Sequence, residues 1–379
     1  MRHSPRPAAF RTVTLLAAGL ALALAAALPA AAPPVIALSL TDTGVLFHDI
    51  ALRPGVAVDL HVTVMGDVDS KACQVAVHGG PWTAETWRPY FEALRAAEGD
   101  DVCVLAVDLP GHGLSSVPTG IVFGQLLMDD YVTAVLAVLE RLDQSLDIEP
   151  RTLVGHSLGG TVVQMAQQRL VDQGSSLEKA FDISEAILVA SDYPREVPWA
   201  FVDSGAAGPV IGSFIVDDPQ LGAIMRIPAE AWPAFFFTNL AGELVDGAPT
   251  PQEIVDRGYV APGEPELVIA QLLGLPPFAA RPSVDAGVFD DDTRLRVVAY
   301  DNDGFILLGE SQGLYIHLTG DASLACFVGV LGPGTTHGTQ VSDPSALVDA
   351  LRSADGCEVD GDDEDEDEDD EDDDDEDDD

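Results

Sequence analysis

The 379-residue sequence has few basic residues. It contains 18 lysines and arginines against 64 aspartates and glutamates, which gives a net charge of −46 at pH 7. The last 22 residues hold 20 of the acids and no base, so the other 357 residues keep 44 acids against 18 bases, a net charge of −26. Proteins that bind nucleic acid neutralise its phosphates with clustered lysine and arginine side chains. The shortage of positive charge therefore argues against nucleic acid as a partner.

Signatures of metal binding are absent from the sequence. The four cysteines, Cys73, Cys103, Cys326 and Cys357, show none of the Cys-x-x-Cys or Cys/His spacings that indicate zinc. The acidic run Asp362–Asp379 lacks the glycine and the ligand spacing of an EF-hand loop. We therefore expect no metal cofactor. An even number of cysteines indicates two disulfide bonds if the chain is exported, with four buried thiols as the alternative.

The two ends of the chain differ from its body. Three arginines within the first eleven residues precede an apolar run at 13–28, and small residues follow at 29–32. This order predicts a signal peptide over residues 1–32, and hence a secreted or periplasmic protein with no membrane span after cleavage. A retained anchor is the alternative, because the apolar run is only slightly shorter than the roughly 20 residues that span a bilayer. Residues 358–379 are predicted to form a disordered acidic tail, since like charges repel and bury no apolar surface.

Short β-branched runs alternate with longer amphipathic segments in the body of the chain. Strands are predicted at Val45–Leu52, Val58–Val64, Gln74–Val77, Val102–Val107, Thr152–Val154, Ala186–Ala190, Leu295–Ala299 and Cys326–Val330. Helices are predicted at Trp87–Ala97, Leu126–Leu142, Thr161–Val171 and Pro344–Leu351. This alternation predicts an α/β fold, with a mostly parallel eight-stranded sheet covered by helices on both faces. The core covers residues 40–192 and 293–357, and an aromatic, proline-rich and glycine-rich stretch at 193–292 is predicted to be a helical cap.

Two Gly-x-Ser-x-Gly matches offer a candidate nucleophile. The first, at 155–159, places Ser157 between a predicted strand and a predicted helix, which is the strand-to-helix elbow that the motif requires. The second, around Ser311, has Leu314 where the first has Gly160, and no strand-separated acid precedes the next histidine. We therefore expect Ser157 to be the nucleophile and Ser311 to lie on the surface of a helix.

A serine at its ordinary pKa is a weak nucleophile and needs a base. His337 lies in a loop directly after the last predicted strand, and that loop can reach the sheet edge where Ser157 stands. His156 is expected to point away along the elbow. For the acid that orients the imidazole, Asp301 and Asp303 both follow the next-to-last predicted strand, and the sequence leaves both open.

A glycine-rich turn after the third predicted strand can receive developing negative charge. In this turn Pro81 has no N–H, so the N–H of Gly80 is the expected donor, paired with the N–H of Leu158 after the nucleophile. His78 and His112 lie in turns after neighbouring strands. We expect both to be loop residues with satisfied hydrogen bonds rather than catalysts.

Together these motifs resemble the α/β-hydrolase superfamily, and serine esterases and lipases in particular, over residues 45–352. They are His-Gly-Gly-Pro-Trp at 78–82, Asp-Leu-Pro-Gly-His-Gly-Leu-Ser-Ser at 108–116, Gly-His-Ser-Leu-Gly-Gly at 155–160, an acid after the next-to-last strand, and a late histidine. The chain order Ser, Asp, His matches that fold and not the chymotrypsin or subtilisin order. The resemblance implies Ser157 as nucleophile, His337 as base and Asp303 as acid, although Tyr300 replaces the glycine that often stands three residues before the acid.

The resemblance also implies a function. A serine hydrolase of this kind cleaves a carboxylic ester or a related acyl compound through an acyl-enzyme, takes a small-molecule acyl substrate and needs no organic cofactor. Epoxide hydrolases and haloalkane dehalogenases of similar outline carry aspartate where this chain has Ser157. An acyltransferase, a proline-iminopeptidase-like peptidase and a C–C bond hydrolase on the same fold remain alternatives. A non-catalytic binding module is disfavoured by the complete set of three residues.

Two further expectations follow from the resemblance. In this fold the insertion lies over the active site, so Trp82, Phe236 and Phe237 are predicted to bind substrate in an apolar acyl pocket that favours neutral esters. The strands that carry Cys73 and Cys103 are neighbours in this fold, which predicts the disulfide pairs Cys73–Cys103 and Cys326–Cys357.

The acidic tail generates the first testable prediction. Deleting Asp362–Asp379 should leave the turnover number and the melting temperature nearly unchanged, because a run of like charges contributes no core. The deletion should instead reduce solubility, or association in the presence of calcium. Steady-state kinetics and thermal denaturation of the full and shortened chains check this, and a large loss of activity would show instead that the tail docks on the body.

Overall fold

The computed structural model describes residues 38–68, 73–80, 82–121, 126–146, 148, 150–191, 229–260, 284–289, 293–353 and 357. The predicted signal peptide (1–32), the acidic tail (358–379) and much of the predicted cap (193–292) lie outside these residues. Within the described ranges, no helix combines the length and the apolar character that crossing a bilayer requires.

One large sheet organises the described chain. Its nine strands are β1 (Leu38–Leu40), β2 (Gly44–Arg53), β3 (Val56–Gly66), β4 (Cys73–Val77), β5 (Cys103–Val107), β6 (Thr152–His156), β7 (Glu185–Val189), β8 (Arg294–Tyr300) and β9 (Phe327–Val330). They lie in the order β1-β2-β3-β5-β4-β6-β7-β8-β9. The six strands β4 to β9 are parallel to one another. β1, β2 and β3 add an antiparallel edge. The carboxyl ends of the six parallel strands therefore share one edge of the sheet.

The ninth strand corrects the predicted count of eight. β1 pairs antiparallel with β2, with Leu38 opposite Phe47 and Leu40 opposite Val45. It has only three residues, and Leu40 is 80% exposed. A segment this short carries no readable alternation of apolar and polar residues, so only its pairing with β2 identifies it as a strand.

Nine helices are present among the described residues. They are α1 (Arg88–Glu98), α2 (Met128–Leu146), α3 (Leu158–Asp172), α4 (Leu177–Phe181), α5 (Trp232–Phe236), α6 (Pro251–Asp256), α7 (Leu308–Thr319), α8 (Thr339–Ser342) and α9 (Pro344–Ser353). α1, α2, α3 and α9 correspond to the four predicted helices. The others are short, or, in α7, have apolar residues on all sides, so that no amphipathic pattern announces them.

Both faces of the parallel strands are buried. On β5, Cys103, Leu105 and Val107 enter a cluster with α2, α3 and α7, whereas Val104 and Ala106 enter a second cluster with α1 and α9. Alternate residues of a strand point to opposite faces, so a strand buried on both sides must be apolar throughout. This explains why the central strands appear in the sequence as continuous apolar runs.

Part of the predicted cap packs in the core. Residues 284–289 lie against α3, where the side-chain amide of Gln167 donates to the carbonyl of Val288 (3.0 Å) and the N–H of Asp285 donates to the side chain of Gln168 (2.7 Å). Phe289 and Val288 are buried in the cluster of α2 and α3. The core packing thus begins before residue 293.

Both predicted disulfide bonds are confirmed. Cys73 and Cys103 are register partners at the first residues of β4 and β5, with Cα atoms 4.5 Å apart. Cys326, just before β9, is bonded to Cys357 beyond α9, with Cα atoms 4.9 Å apart. The described residues include no free cysteine.

The two bridges close loops of nearly equal length, which gives a matched test. Their sequence separations are 30 and 31 residues, so loss of chain entropy in the unfolded state predicts about 3–4 kcal/mol of stability from each. Replacing both cysteines of either pair by alanine should lower the free energy of unfolding by this amount in urea titrations. A loss near zero for one pair only would show that native strand pairing, not loop length, decides the contribution.

Candidate active site

Ser157 occupies a strained turn between β6 and α3. Its φ of 51° and ψ of −119° are costly for a residue with a side chain, by about 1–3 kcal/mol. The turn is held by hydrogen bonds: the N–H of Ser157 donates to the carbonyl of Val189 (2.9 Å), and the N–H of Thr161 donates to the carbonyl of Ser157 (3.2 Å). Gly159 lies so close to the Val77 carbonyl that a Cβ would collide with it. The turn therefore presents the hydroxyl at the carboxyl edge of the sheet, as the motif predicts.

Three side chains from distant parts of the sequence form one hydrogen-bonded chain at this edge. Ser157 Oγ lies 3.0 Å from His337 Nε2, and His337 Nδ1 lies 2.9 Å from Asp303 Oδ2. The exposed fractions of the three residues are 5%, 3% and 1%. A carboxylate accepts only, so His337 carries its proton on Nδ1 and offers the lone pair of Nε2 to the serine hydroxyl.

The structure also separates Asp303 from Asp301. The second oxygen of Asp303 accepts hydrogen bonds from the N–H groups of Phe305 (2.7 Å) and Ile306 (3.1 Å), which fix the carboxylate toward His337. Asp301 instead accepts hydrogen bonds from the Thr335 hydroxyl (2.5 Å) and the Gly332 N–H (3.1 Å), which both lie in the loop that precedes His337. Of the two candidates, Asp303 is the one that contacts the imidazole.

The glycine-rich turn after β4 lies against Ser157. A Cβ on Gly79 would come within 2.9 Å of Ser157 Cβ, and the turn is closed by a hydrogen bond from the Trp82 N–H to the Gly79 carbonyl (3.0 Å). Gly80 stands inside this turn. Leu158 is the first residue of α3, so its N–H has no acceptor within the helix. Both predicted donors are therefore on segments that adjoin Ser157.

His78 and His112 are buried loop residues, as expected. The Leu109 N–H donates to His78 Nε2 (3.1 Å), and His78 Nδ1 donates to the Gly79 carbonyl (2.6 Å), so this imidazole is neutral and joins the turns after β4 and β5. Burial lowers the pKa of His78. Burial, and then the neighbouring His78, lower the pKa of His112 to about 3. Both imidazoles are therefore uncharged near neutral pH.

A buried carboxylate stabilises the same two turns. Asp108, 2% exposed, accepts hydrogen bonds from the N–H groups of Ala84 (2.7 Å) and Leu114 (3.0 Å). His61 Nδ1 on β3 lies 3.3 Å from Asp108 Oδ2, the oxygen that also accepts from Leu114. The carboxylate therefore connects the antiparallel edge of the sheet to the segment that follows the glycine-rich turn.

The predicted substrate-binding aromatics form a packed group that we call the aromatic cluster, made of Trp82, Trp232, Phe235, Phe236, Phe237 and Phe305. Trp82 is fully buried, with ring centroids 5.0 Å from Phe236 and 5.8 Å from Phe237. The Phe236 ring lies 6.1 Å from the His337 ring at 26°. The Phe305 ring lies 4.9 Å from His337. The cluster thus packs directly on the imidazole.

Two residues of the region differ from expectation. Ser311 lies on α7 but is 1% exposed, and its Oγ has no hydrogen-bond partner among the described residues, so its predicted surface position is wrong. His156 does not simply point away, because its Nε2 lies 2.8 Å from the backbone carbonyl of His337. Phe305, whose ring also contacts His337, was not predicted from the sequence. The sequence indicates it only through its position two residues after Asp303.

Comparison with known proteins agrees with this geometry. The sequence profile described as "Alpha/beta hydrolase family" matches residues 74–350, which include all three residues of the hydrogen-bonded chain. No curated protein matches the sequence.

Solved structures with the same fold cover most of the chain. A bromoperoxidase from Bacillus anthracis is 17% identical, with a TM-score of 0.55, and the match covers 84% of this chain and 99% of that one. A structure described under novel epoxide hydrolases from metagenomes of hot environments is 17% identical, with a TM-score of 0.51 and coverage of 84% and 98%. An esterase from Exiguobacterium antarcticum is 15% identical, with a TM-score of 0.50 and coverage of 78% and 95%. At these identities the likeness establishes the fold alone.

The contacts of the two aspartates predict different effects for the same substitution. Asp303→Asn keeps the shape but removes the charge beside His337, so the rate at which a fluorophosphonate probe labels Ser157 should fall by on the order of 10³–10⁴-fold. Asp301→Asn is the matched control, and it should slow labelling far less because the Asp301 carboxylate contacts Asn302 and the loop before His337 but not the imidazole. Labelling rates measured by intact-protein mass spectrometry check this, and equal losses in both variants would contradict the assignment.

Proposed function

We propose that this chain, which belongs to the alpha/beta hydrolase family, is a serine hydrolase that cleaves carboxylic esters or related acyl compounds through an acyl-enzyme. The observation that carries the proposal is the hydrogen-bonded chain from Ser157 through His337 to Asp303. It joins a nucleophile, a base and an orienting acid in the arrangement that acyl transfer requires. Membership of the family by itself supports a hydrolase, without specifying a serine nucleophile or an ester substrate.

In the first half of the proposed reaction, Ser157 Oγ attacks the acyl carbon while its proton passes to His337 Nε2. The imidazole becomes positively charged, and the adjacent Asp303 carboxylate stabilises that charge at Nδ1. The two N–H groups that donate to the other oxygen of Asp303 fix the orientation of the carboxylate. His337 then donates the proton to the leaving alcohol, and the acyl group remains on Ser157.

The carbonyl oxygen becomes negatively charged when the tetrahedral intermediate forms. We assign its stabilisation to the N–H groups of Gly80 and Leu158, on the two segments that adjoin Ser157. Leu158 begins α3, so the positive end of the helix dipole also faces this position. In the second half, His337 removes a proton from water as its oxygen attacks the acyl carbon. The bond between that carbon and Ser157 Oγ then breaks, His337 returns the proton to Oγ, and the carboxylic acid is released.

The surroundings of the site favour neutral substrates with apolar acyl groups. The aromatic cluster covers the His337 side of the site with buried rings. The strongly negative charge of the whole chain disfavours anionic substrates. Two disulfide bonds and the signal-peptide pattern support secretion or export to the periplasm as the setting, since disulfides persist in oxidising compartments.

A comparison of the two Gly-x-Ser-x-Gly serines tests the proposal. Ser157→Ala should abolish hydrolysis of nitrophenyl esters and labelling by a fluorophosphonate, with a rate loss of several orders of magnitude. Ser311→Ala, the matched control, should keep both near the wild-type level. A panel of esters from acetate to long acyl chains, with amide, acyl-acceptor and vinylogous C–C substrates alongside, should show esters as the best class. Labelling at Ser311, or better turnover of another class, would contradict the proposal.

A further inference from the structure

His156, the residue before the nucleophile, connects the strand of Ser157 to the loop of His337. It is the last residue of β6 and is 1% exposed. Its Nε2 lies 2.8 Å from the backbone carbonyl of His337, and the two imidazole rings are 4.9 Å apart at an angle of 49°. A carbonyl oxygen can only accept a hydrogen bond, so Nε2 of His156 carries the proton and donates it.

The surroundings of His156 keep its imidazole neutral. Its pKa is lowered well below the ordinary value, first by burial and then by the neighbouring His337, with a smaller effect of His78. Nδ1, where a second proton would be added, faces Gly79, on which a Cβ would come within 2.9 Å of that nitrogen. The Trp82 ring covers another side, with its centroid 5.9 Å from that of His156. The His156 imidazole is therefore neutral near neutral pH, and it can donate to the His337 carbonyl without gaining or losing a proton.

The peptide group that joins His337 to Gly338 is held at both of its polar atoms. Its carbonyl accepts from His156, and the following N–H, of Gly338, donates to the carbonyl of Phe236 (3.1 Å) in the aromatic cluster. The first contact comes from His156, which directly precedes Ser157 in the chain. The hydrogen bond therefore ties the His337 backbone to β6, the strand that leads into Ser157. Misplacing such a base by about 1 Å can cost on the order of 10²-fold in rate.

We propose that His156 is a positioning residue, whose neutral imidazole donates a hydrogen bond to the His337 backbone and fixes the distance between His337 Nε2 and Ser157 Oγ. The proposal rests on the function proposed above only in requiring that His337 activates Ser157. It assigns His156 no proton transfer, because its donor nitrogen faces a carbonyl and not the reacting atoms.

Two nearly isosteric substitutions separate the hydrogen bond from simple packing. His156→Gln keeps an amide N–H near the position of Nε2, whereas His156→Met fills the same space without a donor. His156→Met should lower kcat for a nitrophenyl ester by on the order of 10- to 100-fold with KM almost unchanged, and should slow fluorophosphonate labelling of Ser157 equally. His156→Gln should recover both rates to near wild type. Equal losses in the two variants, or losses that follow their melting temperatures, would overturn the proposal.

A measurement on the wild-type chain tests the proposed hydrogen bond from His156 even if a variant does not fold. In protein labelled with ¹⁵N at histidine, the His156 ring should be the neutral Nε2–H tautomer from pH 5 to pH 8. A charged ring or the Nδ1–H tautomer in that range would overturn the proposal. If the probe labels the wild-type protein but no ester is hydrolysed, the proposed substrate class is wrong. The role of His156 is then tested by the labelling rates of the two variants. If the wild type is not labelled at all, Ser157 is not activated and both proposals are wrong.

Discussion

The turn at Ser157 is the constraint on which the rest of the site depends. A residue with a side chain at a φ of 51° is unfavourable, and it persists because its neighbours over-determine it. The N–H of Ser157 is bound to β7, and α3 is packed so closely on β4 that only glycine fits at position 159. Without this close packing the chain would relax to ordinary helical or extended geometry. The hydroxyl would then leave the position from which it meets His337.

The remaining parts of the site are loops that follow neighbouring parallel strands. β4 ends in the glycine-rich turn, β8 in the segment of Asp303, and β9 in the loop of His337. Loops are less constrained than strands, and here each is fixed by buried polar contacts: the first by His78 and Asp108, the last by Asp301 and His156. Buried polar groups with satisfied partners hold their geometry well, because breaking one leaves an unpaired group out of contact with water. The geometry of the site thus depends on these contacts around Ser157, His337 and Asp303.

The aromatic cluster closes one side of the site with a large apolar surface. Its rings meet mostly at tilted or edge-to-face angles, as for Trp82 with Phe236 at 69° and Phe235 with Phe305 at 64°. Each such pair adds about 0.5–1.5 kcal/mol beyond the burial of its area. A side chain in the cluster therefore contributes to folding as well as lining the site. Excluding water from this side also strengthens the hydrogen bond that His337 donates to Asp303.

Sequence alone determined much of this protein. The eight longer strands and four main helices follow from β-branched runs and amphipathic periods, and the two disulfide pairs follow from the order of strands that the fold resemblance implies. Ser157 and His337 were identified from the elbow motif and from a histidine after the last strand, because such local patterns carry their own geometry. Tertiary structure alone decided between Asp301 and Asp303, which occupy equivalent positions in the sequence and differ only in what their oxygens contact.

Other features had no local signal at all. β1 is too short to show alternation, and α7 mixes apolar and polar residues on all its sides. Ser311 is buried although a position on the surface of a helix was predicted for it. The contact of His156 with the His337 carbonyl joins residues 181 positions apart. A hydrogen bond to a backbone carbonyl requires no particular side chain on the accepting residue, so it leaves no pattern in the sequence. Such contacts are decided by the three-dimensional packing, which brings the carboxyl ends of parallel strands to one edge.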